Sequence, residues 1–195
     1  TLFLIDAKNP RLSHTLLRTI GGDKQCEVVF HKVRVPKRNI LGELHKGWTS
    51  LENVLQKATV AKCAEMDGGA QQVLEMTTDY AKERVQFGRP IGSFQAVQHH
   101  CVDMLIDVNA SKFITYEAAW MLSEGIPCRK EVAMAKAWVS EAYRRVTGLG
   151  HQIIAGVAFT EDHDMPLYSK RAKASELAFG DADFQREVVA QELGC

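Results

Sequence analysis

The spacing of apolar residues changes its period once along the chain, near Gly47. Before that point the pattern is typical of β-strands, because residues 1–6 are apolar and β-prone and residues 26–35 alternate between apolar and polar. Pro36 ends the second stretch, while residues 16–20 are too short to assign. This part of the sequence predicts two or three strands of a sheet that it does not complete by itself.

Beyond Gly47 apolar residues recur every three or four positions, which is the period of an amphipathic helix. The pattern predicts three long helices and two short ones, over residues 48–84, 94–124, 129–148, 167–177 and 184–193. The second and third helices carry heptad-like apolar seams, made of Val97, Cys101, Met104, Val108, Ser111, Thr115 and Ala118, and of Val132, Ala135, Val139, Ala142, Val146 and Leu149. Such seams predict nearly antiparallel packing at crossing angles of about 20°.

The first long helix carries a different stripe, rich in small residues: Val54, Ala58, Ala61, Glu65 and Gly68. Small side chains on one face allow another helix or a ligand to approach closely. Gly68 and Gly69 stand together in mid-helix, where each glycine costs about 1 kcal/mol relative to alanine. This pair indicates either tight packing or a bend.

Residues 83–95, ERVQFGRPIGSFQ, lie between the first two long helices. Arg84 stands near the end of the first helix, Phe87 follows it, and Pro90 prevents the helix from continuing. Ser93 is a candidate cap for the next helix. An arginine and an aromatic ring fixed at such a corner could hold a large anionic cofactor. The same spacing also fits a helical hairpin whose arginine pairs with a carboxylate.

This corner, ER-x-x-FG-x-P-I-x-x-FQ, resembles the flavin-contacting corner of the acyl-CoA dehydrogenase family. Residues 19–48 resemble that family's exit from its β-domain into its C-terminal helical domain. YEAAWMLSEG and VAMAKAWVSEA are similar to its next two helices, and GHQIIAGVAF to its Q-x-x-GG-x-G-F turn. The blocks follow in the family's order with nearly gapless spacing. The resemblance implies a mainly α fold: an up-down-up-down four-helix bundle in residues 42–195, preceded by a partial antiparallel β-domain in residues 1–41.

The resemblance also implies FAD as cofactor. Arg84, Gln95 and Gln152 match family positions that contact the dinucleotide, and Phe87 and Gly156 complete the expected set. A guanidinium can meet the pyrophosphate with paired donors, and a glutamine amide can both donate and accept. In the family these contacts come from a neighbouring subunit, because FAD lies across a dimer interface.

Two family glycines of the turn are replaced here. The family has adjacent glycines where the backbone approaches the dinucleotide, but the first of them is Ala155 and only Gly156 remains. A further family glycine is Ala158. A methyl group at such a point either is absorbed or blocks the ligand, and the sequence leaves both outcomes open.

The catalytic base is the larger departure. The family's Y-E-G-T motif falls on residues 178–181, so that Phe179 occupies the position of the glutamate base. A minority of the family supplies the base from the first long helix, at a position that is Ala58 here. Glu65 lies seven residues further on, about 10 Å along the helix, too far for a base unless the substrate is shifted. Asp181 is closer, but its charge would face an electron-rich flavin.

Composition excludes several classes of protein. Lysine plus arginine and aspartate plus glutamate both number 24, and a net charge of zero argues against a nucleic-acid binder. No apolar run is long enough to span a membrane. The five cysteines show no paired spacing, which favours reduced thiols and a cytoplasmic location. The chain starts at Thr1 inside a strand pattern and covers about half of a family protein, so we interpret it as a fragment that is inactive alone.

The expected activity is FAD-dependent α,β-dehydrogenation of an acyl-CoA thioester, a reaction of fatty acid metabolism, in a homo-dimer or tetramer. The alternative is a non-catalytic FAD-binding or assembly subunit of a hetero-oligomer, which the residues at Phe179 and Ala58 favour. A third possibility is an enzyme for an unusual acyl group whose base is Asp181 or Glu65.

Overall fold

The computed structural model describes all residues from Thr1 to Cys195. Six short strands and five helices follow one another in the order β1 (Leu2–Phe3), β2 (Leu12–Leu17), β3 (Gln25–Phe30), β4 (Ile40–Leu41), α1 (Gly47–Glu83), β5 (Val85–Gln86), β6 (Arg89–Pro90), α2 (Gln95–Ser123), α3 (Arg129–Ile154), α4 (Met165–Leu177) and α5 (Ala182–Leu193). Single 3-10 turns precede β4, α2 and α4. The predicted fold class, mainly α with a small antiparallel β part, is confirmed.

The β part consists of separate two-stranded ladders. β2 and β3 pair antiparallel from Leu12 opposite Phe30 to Leu17 opposite Gln25, and β1 pairs with β4. The strand predicted over residues 26–35 is shorter than expected, because Lys32 takes a positive φ of 52° and turns the chain. β2, which the sequence left unassigned, forms because β3 supplies its partner. Both faces of β3 are exposed in this chain.

Helix α1 runs for 37 residues without interruption, so the glycine pair does not break it. A Cβ atom added at Gly69 would overlap the Tyr143 side chain of α3, whereas one added at Gly68 would meet open space. The tight packing that the pair indicates is therefore confirmed, and Gly69 is the residue that requires it.

Contacts between the long helices fix their directions. Gly69 lies against Tyr143, and Gly150 lies against Val73, so α1 and α3 run parallel. Asp107 of α2 pairs with Arg145 of α3, while His100 near the start of α2 meets Gln152 near the end of α3. α2 is therefore antiparallel to α3, as an up-and-down bundle requires.

Two short helices, α4 and α5, form the fourth side of the bundle in place of a single long helix. α4 and α5 both pack on α3, and the chain breaks between them at Phe179 and Gly180, which have φ values of 59° and 90°. Both helices begin two residues earlier than predicted. Pro166 stands in the first turn of α4, where a missing N–H costs nothing, and Asp181 caps α5 by accepting a hydrogen bond from the Phe184 N–H at 2.9 Å.

The core lies between α1, α2 and α3. The seam predicted for α3 is buried or half-buried throughout, and the seam of α2 is buried from Met104 onward. The stripe of small residues on α1 does not contribute to this core: apart from the half-buried Ala58, its members are exposed. The buried face of α1 is instead formed by Thr59, Val60, Cys63, Met66, Asp67, Ala70, Val73, Leu74, Thr77 and Ala81. All five cysteines are free, as expected.

Candidate functional site

A β-hairpin forms the corner between α1 and α2. α1 ends at Glu83, β5 pairs with β6, and the two loop residues Phe87 and Gly88 have φ values of 54° and 80°. Positive φ at both loop residues is the signature of a type I′ turn, which matches the twist of the paired strands. The predicted break in the helix is confirmed. Ser93 does not cap α2, however, because its hydroxyl donates to the Pro90 carbonyl oxygen and Phe94 occupies the cap position.

Arg84 lies at the mouth of a groove of about 530 Å³ between this corner and the turn that follows α3. The Arg84 guanidinium is exposed and makes no salt bridge or hydrogen bond within the chain. The backbone carbonyl oxygen of Arg84 accepts a hydrogen bond from the Ile91 N–H at 2.8 Å. The groove is lined by Tyr80, Arg84, Gln86, Ile91, Ile153, Ile154, Ala155, Gly156, Val157 and Thr160. A free cation at the edge of a groove with exposed backbone is suited to a phosphate-bearing ligand.

The other expected contact residues surround this groove without lining it. Phe87 is 92% exposed at the tip of the hairpin, and Gln95 is exposed in the first turn of α2. Gln152 is exposed near the end of α3, with its amide nitrogen 3.4 Å from His100 Nε2. Within this chain the structure thus unites Arg84 with Gly156 and leaves the remaining three side chains accessible on adjoining surfaces.

The two glycine replacements have different structural consequences. Ala158 is fully buried in the core and does not line the groove. Ala155 is exposed and has φ 60° and ψ −137°, a conformation that favours glycine. At Gly156 an added Cβ would meet no atom within 4 Å, so the groove beside it is open to a ligand. The replacement at Ala158 is therefore absorbed, and the one at Ala155 is strained.

Replacing Ala155 with glycine is expected to raise the free energy of unfolding by about 1 kcal/mol, because the backbone strain of a non-glycine residue exceeds the extra chain entropy of glycine. Urea unfolding followed by circular dichroism would measure the change. Ala64→Gly, in the exposed middle of α1, is the matched control and should lower stability by about 1 kcal/mol. If both variants lost stability equally, the conformation at Ala155 would not be strained.

The two family base positions lie near the same apolar cleft. Phe179 lines a cleft of about 360 Å³ formed by α1, α3 and α5, and so does Thr59, the neighbour of Ala58. The cleft is lined by Trp48, Glu52, Leu55, Gln56, Thr59, Arg129, Val132, Ala133, Phe179, Gly180, Phe184, Gln185 and Val188. Neither Phe179 nor Ala58 can accept a proton, so the chain itself presents no base at either position.

The two carboxylates considered as substitutes have structural partners. Glu65 is exposed, with its oxygens 2.5 Å from Lys62 Nζ and 3.7 Å from Arg171 Nη1. Glu65 is therefore a partnered surface carboxylate. Asp181 is occupied as the cap of α5. These contacts account for both residues without a catalytic role.

The sequence reading missed Lys136, a fully buried lysine of α3. Its ammonium donates to Ser140 Oγ at 2.8 Å and to the carbonyl oxygens of Glu176 and Gly180 at 2.9 and 3.0 Å. Burial lowers the pKa of this ammonium, while nearby charges, including those of Glu176 and Asp181, oppose the shift. The sequence contained one signal for its burial, because Lys136 directly follows Ala135, a member of the apolar seam of α3. Lys136 fixes the break that carries Phe179.

The histidines at the end of α3 and in the loop that follows it have structural contacts. His151 Nε2 lies 2.5 Å from Ser169 Oγ, and burial lowers the pKa of the imidazole, with a further contribution from His163. His163 Nδ1 accepts from the Met165 N–H at the start of α4. No group of three or more side chains suited to a metal ion is present. None of the helices is sufficiently long and apolar to cross a membrane.

The long helices form a helical-bundle domain, and comparison with known proteins identifies its family. The family model for the C-terminal domain of acyl-CoA dehydrogenases matches residues 45–194. The chain therefore belongs to the acyl-CoA dehydrogenase family, of which it carries this domain. The boundary predicted between residues 41 and 42 stays a prediction.

Similar proteins include both curated relatives and solved structures. The mitochondrial short/branched chain specific acyl-CoA dehydrogenase of Bos taurus is 34% identical over 88% of the chain and 40% of the relative. Butyryl-CoA dehydrogenase of Megasphaera elsdenii superposes with a TM-score of 0.94, at 28% identity over 99% of the chain and 51% of that protein. A structure of PigA with FAD and proline also gives 0.94, at 27% identity over 98% and 51%. The chain spans about half the length of the relatives it matches.

Proposed function

We propose that the protein containing this chain is an FAD-dependent acyl-CoA dehydrogenase, which removes hydrogen from the α and β carbons of an acyl-CoA thioester. The family membership supports the reaction class. The observation that carries the cofactor assignment is the unpartnered guanidinium of Arg84, which lines the same groove as the open backbone at Gly156. Both features suit a dinucleotide, which carries charge on its pyrophosphate and needs close backbone approach.

Different residues of this chain would bind different parts of FAD. Arg84 would neutralise the pyrophosphate with paired N–H donors, and Gln95 and Gln152 would donate to or accept from phosphate and ribose oxygens. Phe87 would pack against the flat rings, and Gly156 leaves the space that the ligand needs. Bound FAD would supply the acceptor for the hydride that leaves the β carbon. The proton that leaves the α carbon needs a base, which neither Phe179 nor Ala58 provides.

Replacing Arg84 with methionine in the full-length protein is expected to weaken FAD binding by about 10- to 100-fold, the effect of losing a charged hydrogen-bonding partner. Quenching of FAD fluorescence during titration into the FAD-depleted protein would measure the dissociation constant. Arg171→Met, on a surface outside the groove, is the control and should leave it unchanged. Unaltered affinity in Arg84→Met, or a wild-type protein that binds no FAD, would overturn the assignment.

A non-catalytic FAD-binding or assembly subunit is the second candidate, and the inert side chains of Phe179 and Ala58 favour it. The two candidates differ in what the purified full-length protein does. The enzyme would reduce an artificial electron acceptor with an acyl-CoA substrate when present alone. The subunit would do so only together with a homologous partner chain, and omission of either chain would abolish turnover.

Association of subunits is part of the proposal, as a homo-dimer or tetramer or as a hetero-oligomer with a homologous chain. Its support is a second apolar face on α2, opposite the buried seam. This face consists of the exposed side chains of Val102, Leu105, Ile106, Phe113, Tyr116 and Trp120. A helix that is apolar on both sides is typically covered on both sides.

The cellular setting follows from the same proposal. Acyl-CoA dehydrogenation belongs to fatty acid metabolism, so an acyl-CoA is the proposed substrate. Five unpaired cysteines favour a reducing compartment, and we assign the cytoplasm. The neutral net charge gives no support for a nucleic-acid partner.

A further inference from the structure

Phe87 presents an exposed aromatic ring with little around it. The type I′ turn fixes its backbone at the hairpin tip, but a side chain that is 92% exposed has few contacts to fix its ring. The ring contact that the structure provides is Phe94, with the two ring centres 6.1 Å apart and the planes at 88°. This edge-to-face geometry is the favoured one for an aromatic pair. The orientation of Phe87 therefore depends on that of Phe94.

Phe94 is well anchored by its backbone. Its N–H donates to the Ile91 carbonyl oxygen at 3.1 Å, and its own carbonyl oxygen accepts from Val97 and Gln98 at the start of α2, at 3.0 and 3.1 Å. The ring is half-buried, and Arg89 covers it: the guanidinium carbon lies 4.2 Å from the ring centre. Arg89 makes no salt bridge and donates no side-chain hydrogen bond within the chain, so the ring is the partner that the structure gives to its charge.

We propose that Arg89 is a positioning residue for the cofactor ring system: by stacking on Phe94 it fixes the surface against which Phe87 rests, and thereby presents Phe87 to a planar conjugated ring. The proposal rests on the proposed FAD binding, which it deepens by adding Arg89 and Phe94 to the site. The hairpin places the two residues suitably, because Arg89 pairs across the strands with Gln86, next to Phe87.

The Arg89–Phe94 contact can orient the Phe87 ring while contributing little to the stability of the fold. A cation–π contact at an exposed site is weak, and the hairpin is peripheral to the core. Loss of the contact should therefore change the melting temperature little. Ring orientation at the ligand surface is a separate property, and spectroscopy can observe it directly.

The first test needs no bound cofactor. 4-Fluorophenylalanine is introduced at position 87 of the full-length protein, and its ¹⁹F resonance is compared between the native Arg89 and Arg89→Met. We expect the resonance to move towards the position of the free amino acid in Arg89→Met, and Arg89→Lys, which keeps a cation over the ring, to restore part of the shift. An unchanged resonance in Arg89→Met would overturn the proposal even if the protein binds FAD.

The second test uses the FAD complex. Arg89→Met should weaken FAD binding about 3- to 10-fold and alter the visible circular dichroism of the bound flavin, with a melting temperature like that of the native protein. Phe94→Leu should change the dichroism in the same way, because Arg89 acts through that ring. A dichroism change in Arg89→Met but not in Phe94→Leu would contradict the positioning role. If the native protein bound no FAD, the proposed function would fail and the cofactor role of Arg89 with it, whereas the fluorine experiment would still decide whether Arg89 orients the Phe87 ring.

Discussion

Replacing Phe179 with glutamate is expected to increase acyl-CoA dehydrogenation by the full-length protein about 100-fold or more. Phe179 occupies the family's base position and lines an apolar cleft beside Thr59. A positioned general base contributes about 10²- to 10⁴-fold to proton abstraction. The same cleft would raise the pKa of the new carboxyl group, because burial disfavours its charged form, and a base with a raised pKa is a stronger proton acceptor. Turnover with artificial electron acceptors and a panel of acyl-CoA substrates would measure the effect.

Phe179→Gln is the matched control, because its side chain has the size of glutamate and cannot take the proton. Equal activity in the two variants, with FAD bound and unchanged melting curves, would show that position 179 does not face the reacting carbon. Ala58→Glu tests the other family position in the same way. If the native protein already turned over as fast as Phe179→Glu, its base would lie elsewhere.

Replacing Lys136 with methionine is expected to lower the free energy of unfolding by about 3 kcal/mol. The substitution removes the donor for Ser140 Oγ and for two carbonyl oxygens, those of Glu176 and Gly180, at the end of α4 and in the break. Each buried acceptor left without a partner costs about 1–3 kcal/mol, and removal of the buried charge offsets part of that cost. Urea unfolding followed by circular dichroism would measure the loss.

Lys173→Met is the control for this prediction. Lys173 also contacts Glu176, with its Nζ 3.2 Å from a carboxylate oxygen, but it is half-exposed. An ion pair of that kind contributes about 0–1 kcal/mol. If the two methionine variants unfolded at the same urea concentration, the buried ammonium would contribute no more than a surface charge. A loss confined to Lys136→Met would confirm its role in holding the break.

The pattern of the sequence predicted α1 and α2 to within one residue at each end, because helical spacing repeats over many turns. Helix α3 begins where it was predicted to begin and ends six residues beyond its predicted end at residue 148. The seam of α3 was predicted residue by residue, and the break at the corner followed from Pro90. The hairpin within that corner was missed, because strands of two residues have no period to detect. Gly88 was the available signal, since glycine is favoured at the second loop residue of a type I′ turn, whereas a bulky residue such as Phe87 rarely takes a positive φ.

The outward stripe of α1 shows a different limit. Ala58, Ala61 and Gly68 have the spacing of a packing face, and sequence alone could not tell which partner that face would meet. Within this chain the bundle buries the other side of α1. Sequence alone also could not predict the effect of the two replaced glycines. Only the folded chain revealed that Ala158 is buried in the core while Ala155 lines the groove.

The helices, the identity of the corner residues and the absence of a base at the two family positions depend on residue type and on spacing along one chain, and the amino-acid pattern was therefore enough to predict them. Which of these residues meet became known only from the folded chain. Arg84 and Gly156 share a groove although they are far apart in the sequence, and Lys136 holds the break at Phe179 from another helix. Such contacts depend on how the helices are aligned against one another, and the periodicity of a single helix carries no information about that alignment.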